Sequence, residues 1–168
     1  MLSEPRLDDR PDQHYVAERT RVSMQDFASA IDRAYPRVFT WLQEHDLAPA
    51  GAPIIRYRAI DMPTYLDVDI GVPVAELPAI DGGLTGDTLP AGRYASLVYT
   101  GHYDGLVDAT GALLDWGREQ GLQWDRWPVD DGEAWGGRYE TYRTDPRAEP
   151  DPSRWETEVA IRLAQQRG

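Results

Sequence analysis

Glu140 is the residue whose type and setting point most directly to chemistry. It lies in Gly136-Gly137-Arg138-Tyr139-Glu140-Thr141-Tyr142-Arg143. In a strand, alternation places Arg138, Glu140 and Tyr142 on one face and Tyr139, Thr141 and Arg143 on the other. A strand that buries Tyr139 and Thr141 against a helix aims Glu140 and Tyr142 into the free face. A carboxylate partly desolvated among aromatic rings can pair with a ligand cation, helped by the ring faces. With its pKa raised by burial it can instead serve as general base or acid on a water. The same spacing also fits an ion pair with Arg138 or Arg143 on a wet sheet. Tyr57 sits at the corresponding place in the first half of the chain, where its phenol can donate to a ligand or a leaving oxygen, or simply pack. Trp135, just before the Gly136-Gly137 pair, is placed either to cover a cleft as a lid or to join a hydrophobic cluster under a loop.

Other chemistries find little support. There are no cysteines, which excludes disulfides, thiolate metal sites and cysteine nucleophiles, and points to a reducing compartment. His14, His45 and His102 are scattered without ligand spacing. Asp67-x-Asp69 places two carboxylates on one strand face, which reads as solvated surface because a hard cation needs more converging oxygens. Gly82, Gly83 and Gly86 lack the Gly-Lys-Ser/Thr ending of a phosphate loop, and no serine has a nucleophile-elbow context. No cofactor and no metal are expected.

The elements that must position Glu140 are written nearly twice. Thr40-Trp41-Leu42-Gln43-Glu44-His45-Asp46-Leu47 recurs as Asp115-Trp116-Gly117-Arg118-Glu119-Gln120-Gly121-Leu122. Each copy is followed by a turn-rich gap, an Arg-Tyr strand (Arg56-Tyr57, Arg138-Tyr139) and an alternating strand (67–72, 158–163). Strands are predicted at 14–22, 54–59, 65–74, 95–100, 137–144 and 157–164. One helix is expected from an N-cap at Ser23 through Trp41 and Leu42, kinked or broken near Tyr35 by Pro36. A second runs from about Tyr103 to Gln120, closed by Gly121 at C′. Residues 124–135 read as a loop and residues 1–12 as a flexible tail. The main domain then covers 13–166, with halves at about 13–80 and 86–166. The fold class is α+β: duplicated βαββ halves forming an antiparallel sheet with two helices on one face and a central ligand cleft, the face opposite the helices being free to form it.

The formal charge of −12 repels phosphate backbones, so nucleic acid is not an expected partner; cations are favoured instead. Six tryptophans and nine tyrosines supply flat faces with polar tips, suited to planar ligands. Residues 1–10 lack the apolar stretch of a signal peptide, no run approaches the ~18 apolar residues of a membrane span, and a cytoplasmic location is expected.

The stretch Leu89-Pro90-Ala91-Gly92-Arg93-Tyr94 with the following 95–106, then Leu113-Leu114-x-Trp116, Tyr139-Glu140-Thr141-Tyr142-x-x-Asp145-Pro146 and Thr157-Glu158-Val159-Ala160-Ile161, resembles the GyrI-like small-molecule-binding family over about residues 13–164. The resemblance implies a duplicated βαββ fold with a central cleft. It also implies membership of a group that includes effector-binding domains of multidrug-responsive regulators, stand-alone proteins linked to gyrase inhibition or toxin protection, and hydrolases that open cyclopropane-bearing genotoxins. The family's buried cleft glutamate maps onto Glu140. Tyr57, Tyr65, Trp135, Tyr142 and Trp155 are the aromatics it offers as cleft lining. The twelve or so residues before the first strand are too few for DNA-binding helices, which disfavours a regulator acting alone on DNA. The leading expectation is stand-alone binding of amphipathic aromatic or cationic small molecules, with a protective role. One alternative is a hydrolase of strained cyclopropane-bearing compounds, with Glu140 as general base and Tyr57 steadying the developing oxyanion. The other is an acidic protein–protein interaction module.

Overall fold

The computed structural model describes residues 1–61, 64–130 and 132–165. Ten strands and two helices follow in the order β1 (Arg6–Arg10), β2 (Gln13–Val22), α1 (Phe27–Glu44), β3 (Ile54–Asp61), β4 (Tyr65–Pro73), β5 (Thr85–Leu89), β6 (Gly92–Thr100), α2 (Leu106–Glu119), β7 (Arg126–Val129), β8 (Gly132–Trp135), β9 (Arg138–Tyr142) and β10 (Glu156–Arg162). The strands form one antiparallel sheet in the order β1-β6-β10-β9-β3-β4-β2-β5. Within it, β2-α1-β3-β4 and β6-α2-β9-β10 are two βαββ units, and β3 meets β9 at the seam between them. The pairs there are Ile54↔Thr141, Ile55↔Glu140 and Arg56↔Tyr139.

Both helices lie on the same face. On α1, Ala30, Ala34, Val38 and Leu42 are buried at helical spacing against Val16, Ile55, Val68, Ile70 and Val72. On α2, Leu106, Ala109 and Leu113 pack on Ala95, Leu97, Val159 and Ile161. Gly117 is buried where a Cβ would overlap the Trp124 ring, so its lack of a side chain allows that ring to lie against the helix. The repeated segment explains itself at the helix ends. Leu47 N–H donates to the Leu42 carbonyl at 2.9 Å and Leu122 N–H donates to the Gly117 carbonyl at 2.9 Å. Asp46 (φ 54°) and Gly121 (φ 73°) take the left-handed conformation that such a Schellman ending requires.

Several expectations are corrected. Residues 1–12 are not a loose tail: β1 pairs with the edge of β6, from Arg6↔Ser96 to Arg10↔Gly92. α1 runs unbroken through Pro36, because its buried stripe is anchored to the sheet on both sides of the proline and offsets the one missing hydrogen bond. Its N-cap is Asp26, although Ser23 Oγ still accepts from Asp26 N–H at 3.2 Å in the preceding turn. Residues 126–135 carry the hairpin β7–β8, whose inner strand extends β3 through Ala59↔Ala134 and Ile60↔Glu133.

A further correction concerns the face opposite the helices. Much of it is filled by a buried polar network beside a small apolar cluster, with a groove left at one side. Tyr15 donates to the fully buried Asp69, which also accepts from Arg58 Nε at 2.7 Å; Arg58 reaches Asp87 as well. Arg56 donates to the Tyr15 hydroxyl and the Thr88 carbonyl, each at 3.1 Å, and to the Gly136 carbonyl at 3.0 Å. Arg10 donates to the Tyr139 hydroxyl at 2.7 Å and to Glu158 at 2.8 Å. Asp69 is therefore no solvated surface residue. A register shift in β3 between Tyr57 and Ala59 leaves Arg58 as the extra residue, and Arg58 joins Arg56 in the polar layer. Among the described residues no group of three or more His, Cys, Asp or Glu side chains converges as a metal site, and no helix is long and apolar enough to cross a membrane.

Removing the buried carboxylate strands its partners, whereas the more exposed Asp67–Arg19 pair at 2.9 Å is screened by solvent. Asp69→Ala is expected to cost about 3 kcal/mol and Asp67→Ala less than about 1 kcal/mol in urea denaturation. Equal costs would contradict the assignment of Asp69 to a buried network.

Candidate functional site

At the seam, the alternation of β9 sends Arg138, Glu140 and Tyr142 to the helix face and Tyr139 to the polar layer, the reverse of the expected orientation relative to the helices. Glu140 is 7% exposed. Its Oε1 accepts two hydrogen bonds, from the Tyr57 hydroxyl across the seam at 2.8 Å and from the Tyr142 hydroxyl at 2.6 Å. Oε2 accepts none from any described residue. No ion pair joins Glu140 to Arg138 or Arg143 among the described residues; Arg143 instead pairs with Glu158 at 2.9 Å.

Rings extend from this carboxylate in both directions. Phe27, at the start of α1, meets Tyr57 edge-on at 6.2 Å between centroids. Tyr103, in the single 3-10 turn that leads into α2, meets Tyr142 edge-on at 5.7 Å and lies 4.8 Å from Trp155, which stacks on the exposed His102 at 5.7 Å. Tyr35 of α1 donates to the Ile54 carbonyl at 2.7 Å and is close enough to feel the Glu140 charge. Trp135 does not act as a lid on Glu140. It is buried in the α2 core cluster, and the Arg138 guanidinium lies 4.5 Å from its ring centroid and 5.8 Å from that of Tyr57.

Of the residues singled out from sequence, Glu140, Tyr57 and Tyr142 thus form one hydrogen-bonded cluster. Trp155 reaches it through Tyr103, and Trp135 through Arg138. Tyr65 does not take part; it lies under the Arg21 guanidinium at 3.6 Å, at the start of β4. Tyr35, Phe27 and Tyr103 escaped the sequence reading as site residues. Phe27 and Tyr35 belong to the helical stripe or its flank and so read as core, and nothing in the local pattern of Tyr103 distinguishes it. A groove of about 530 Å³ lies elsewhere: Arg56, Arg58, Trp127 and Gly136 line it on the polar-layer side, and Glu140 is not part of its wall. Its arginines are engaged in the network described above, so the volume alone does not make it the better site.

Burial pushes the Glu140 pKa above its ordinary value of 4.5, while the two phenols and Arg138 pull it down. Burial, reinforced by the Glu140 charge, pushes Tyr57 and Tyr142 well above 10, so both remain protonated donors. Two hydrogen bonds to a charged acceptor contribute about 1.5–3 kcal/mol each, against several kcal/mol for desolvating a carboxylate. Desolvation wins, which the raised pKa records. The arrangement holds the carboxylate by one oxygen and presents the other as an acceptor or a base.

The pH dependence follows from that shift. With the folded pKa above the unfolded one, the contribution of Glu140 to stability is greatest below the unfolded pKa and declines as pH rises through the folded pKa. Glu140→Gln keeps an acceptor for both phenols without the charge. Its melting temperature is expected to exceed that of the wild type at pH 8, and the two to converge below about pH 4. A difference that is the same at both pH values would contradict the shift.

No curated protein sequence matches the chain. Solved structures match throughout its length. The EcmrR C-terminal domain is similar at 16% identity over 97% of this chain and 98% of that one, with a TM-score of 0.77. EcmrR in its DNA complex gives 18% identity over 97% of this chain and a TM-score of 0.77, and there the present chain spans only 58% of the EcmrR chain. SAV2435, bound to tetraphenylphosphonium, is similar at 13% identity over 96% of this chain and 94% of that one, with a TM-score of 0.64. A hydrolase from Listeria innocua is similar at 11% identity over 96% and 92%, with a TM-score of 0.62. At these identities the likeness is one of fold. The model of the GyrI-like small molecule binding domain matches residues 3–164, and the chain belongs to that family.

Proposed function

We propose that the chain binds amphipathic aromatic small molecules at the seam beside Glu140, in a role that sequesters a toxic compound. The observation that carries this reading is the half-satisfied carboxylate. Oε1 is fixed by Tyr57 and Tyr142, Oε2 has no donor among the described residues, and rings from both helical ends surround it. A ligand with a donor or positive edge gains a charge-assisted contact at Oε2 and apolar contact with the rings. That SAV2435 was solved with tetraphenylphosphonium supports the same ligand class here.

Titration with tetraphenylphosphonium is expected to quench tryptophan fluorescence, because Trp155 and Trp135 flank the cluster. Glu140→Gln is expected to weaken the fitted affinity about tenfold, equivalent to ~1.4 kcal/mol. An affinity unchanged by that substitution would refute binding at Glu140.

The free Oε2 also favours a second reading, hydrolysis of a strained cyclopropane conjugated to a carbonyl. Oε2 takes a proton from water and the water oxygen bonds to the ring methylene. The ring C–C bond breaks and its electron pair passes into the conjugated carbonyl; that oxygen takes the Tyr57 hydroxyl proton, and the proton taken up by Glu140 passes to Tyr57, which restores both groups. Incubation with a cyclopropane-bearing aromatic alkylator would then give a product heavier by one water with wild type and not with Glu140→Gln, read by mass spectrometry. Unchanged starting compound restricts the protein to binding.

A further inference from the structure

The Arg138 guanidinium is unlike the other arginines drawn into the sheet. Arg10, Arg56 and Arg58 each pair with a carboxylate and donate hydrogen bonds. Arg138, half-buried, does neither among the described residues. An arginine carries five donors in a fixed fork; none of those of Arg138 is among the described buried polar atoms without a partner, so water reaches the fork and a ligand acceptor can take its place. What Arg138 has instead is ring faces. It lies 4.5 Å from the Trp135 centroid and 5.8 Å from that of Tyr57, the ring that also holds Glu140. It is two residues from Glu140 on the same strand face, so the two side chains emerge side by side at the seam.

We infer that Arg138 is the site's own cation. It occupies the ring-faced berth beside Glu140 that an organic cation would otherwise take, and it makes the site select aromatic ligands that carry an acceptor as well as a donor: zwitterionic ones above all. This rests on the reading of the seam as a ligand site and names its ligand class. With Glu140 partly balanced by a neighbouring positive charge, a permanent cation gains less attraction than an unbalanced carboxylate would give and must displace the guanidinium from the rings to gain more. A zwitterion meets both groups at once, with a carboxylate on the unpaired fork of Arg138 and a positive edge on Oε2 of Glu140.

Tetramethylrhodamine and its methyl ester provide a matched pair, one ring system with and without a free carboxylate, and fluorescence anisotropy reads both. Wild type is expected to bind the free acid about tenfold more tightly than the ester, a difference of ~1.4 kcal/mol. Arg138→Met keeps an apolar stem against Trp135 and Tyr57 and is expected to reverse the order, tightening the ester and weakening the acid. Arg138→Lys retains the charge and is expected to keep the wild-type order, which separates loss of charge from loss of packing. An acid-to-ester affinity ratio that agrees within twofold between wild type and Arg138→Met overturns the inference, as does failure of both dyes to bind. Glu140→Gln tells the two levels apart. If it weakens the ester while Arg138→Met leaves the ratio alone, only the role of Arg138 falls; if it changes neither dye, the seam itself is not the site.

Discussion

The structure depends on how β3 and β9 are registered at the seam. Three residue pairs join the two units there, and Ile55↔Glu140 is the middle one. Side chains alternate with a period of two, so a slip of one residue would turn the whole set of one strand to the other face relative to its partner. Glu140 would then leave Tyr57 and enter a layer already occupied by Asp69 and Asp87, whose arginines are engaged. Ile55 would leave the core beneath α1. The hydrophobic pattern of β3 and the charge pattern of the polar layer therefore select the same register, and that register creates the carboxylate cluster.

The two faces of the sheet meet burial in different ways. The helix face is apolar, and Glu140 is a carboxylate set within it, tolerated through two phenols. The opposite face buries charge in quantity, but Arg10, Arg56 and Arg58 there each have acidic or carbonyl partners. The bulge at Arg58 links the two arrangements. It allows Arg56 and Arg58 both to serve Asp69, Tyr15 and Asp87 while Tyr57 and Ile60 still reach the helix face. A regular strand would have had to give up one or the other.

Much of this was legible beforehand. The apolar periodicity of residues 27–42 and 106–117 gave both helices, and the alternation of 66–72 named the face that packs on them. The repeated Trp-x-x-x-x-x-Leu segment marked equivalent helix endings, and its residues are those that close the two Schellman turns. The β7–β8 hairpin was not legible, because four-residue strands carry too little alternation and this one is held by its pairing with β3. Nor was β1, whose charged sequence has no apolar signature and whose place comes from the open edge of β6. Pro36 misled because local propensity was weighed without the packing that overrides it.

For the site, alternation along residues 138–142 by itself determined that Arg138, Glu140 and Tyr142 share a face and that Tyr139 does not. It did not determine which face the helices cover, since Tyr139 and Glu140 are both compatible with burial and a two-residue period has no preferred side. Tertiary structure decided that, through the three pairs at the seam. The same pairing set Tyr57, from a strand eighty residues earlier, on the oxygen of Glu140, and brought Arg138 between the rings of Tyr57 and Trp135. Contacts between residues so far apart leave no trace in local sequence, because the sheet that unites them forms only when both halves are folded.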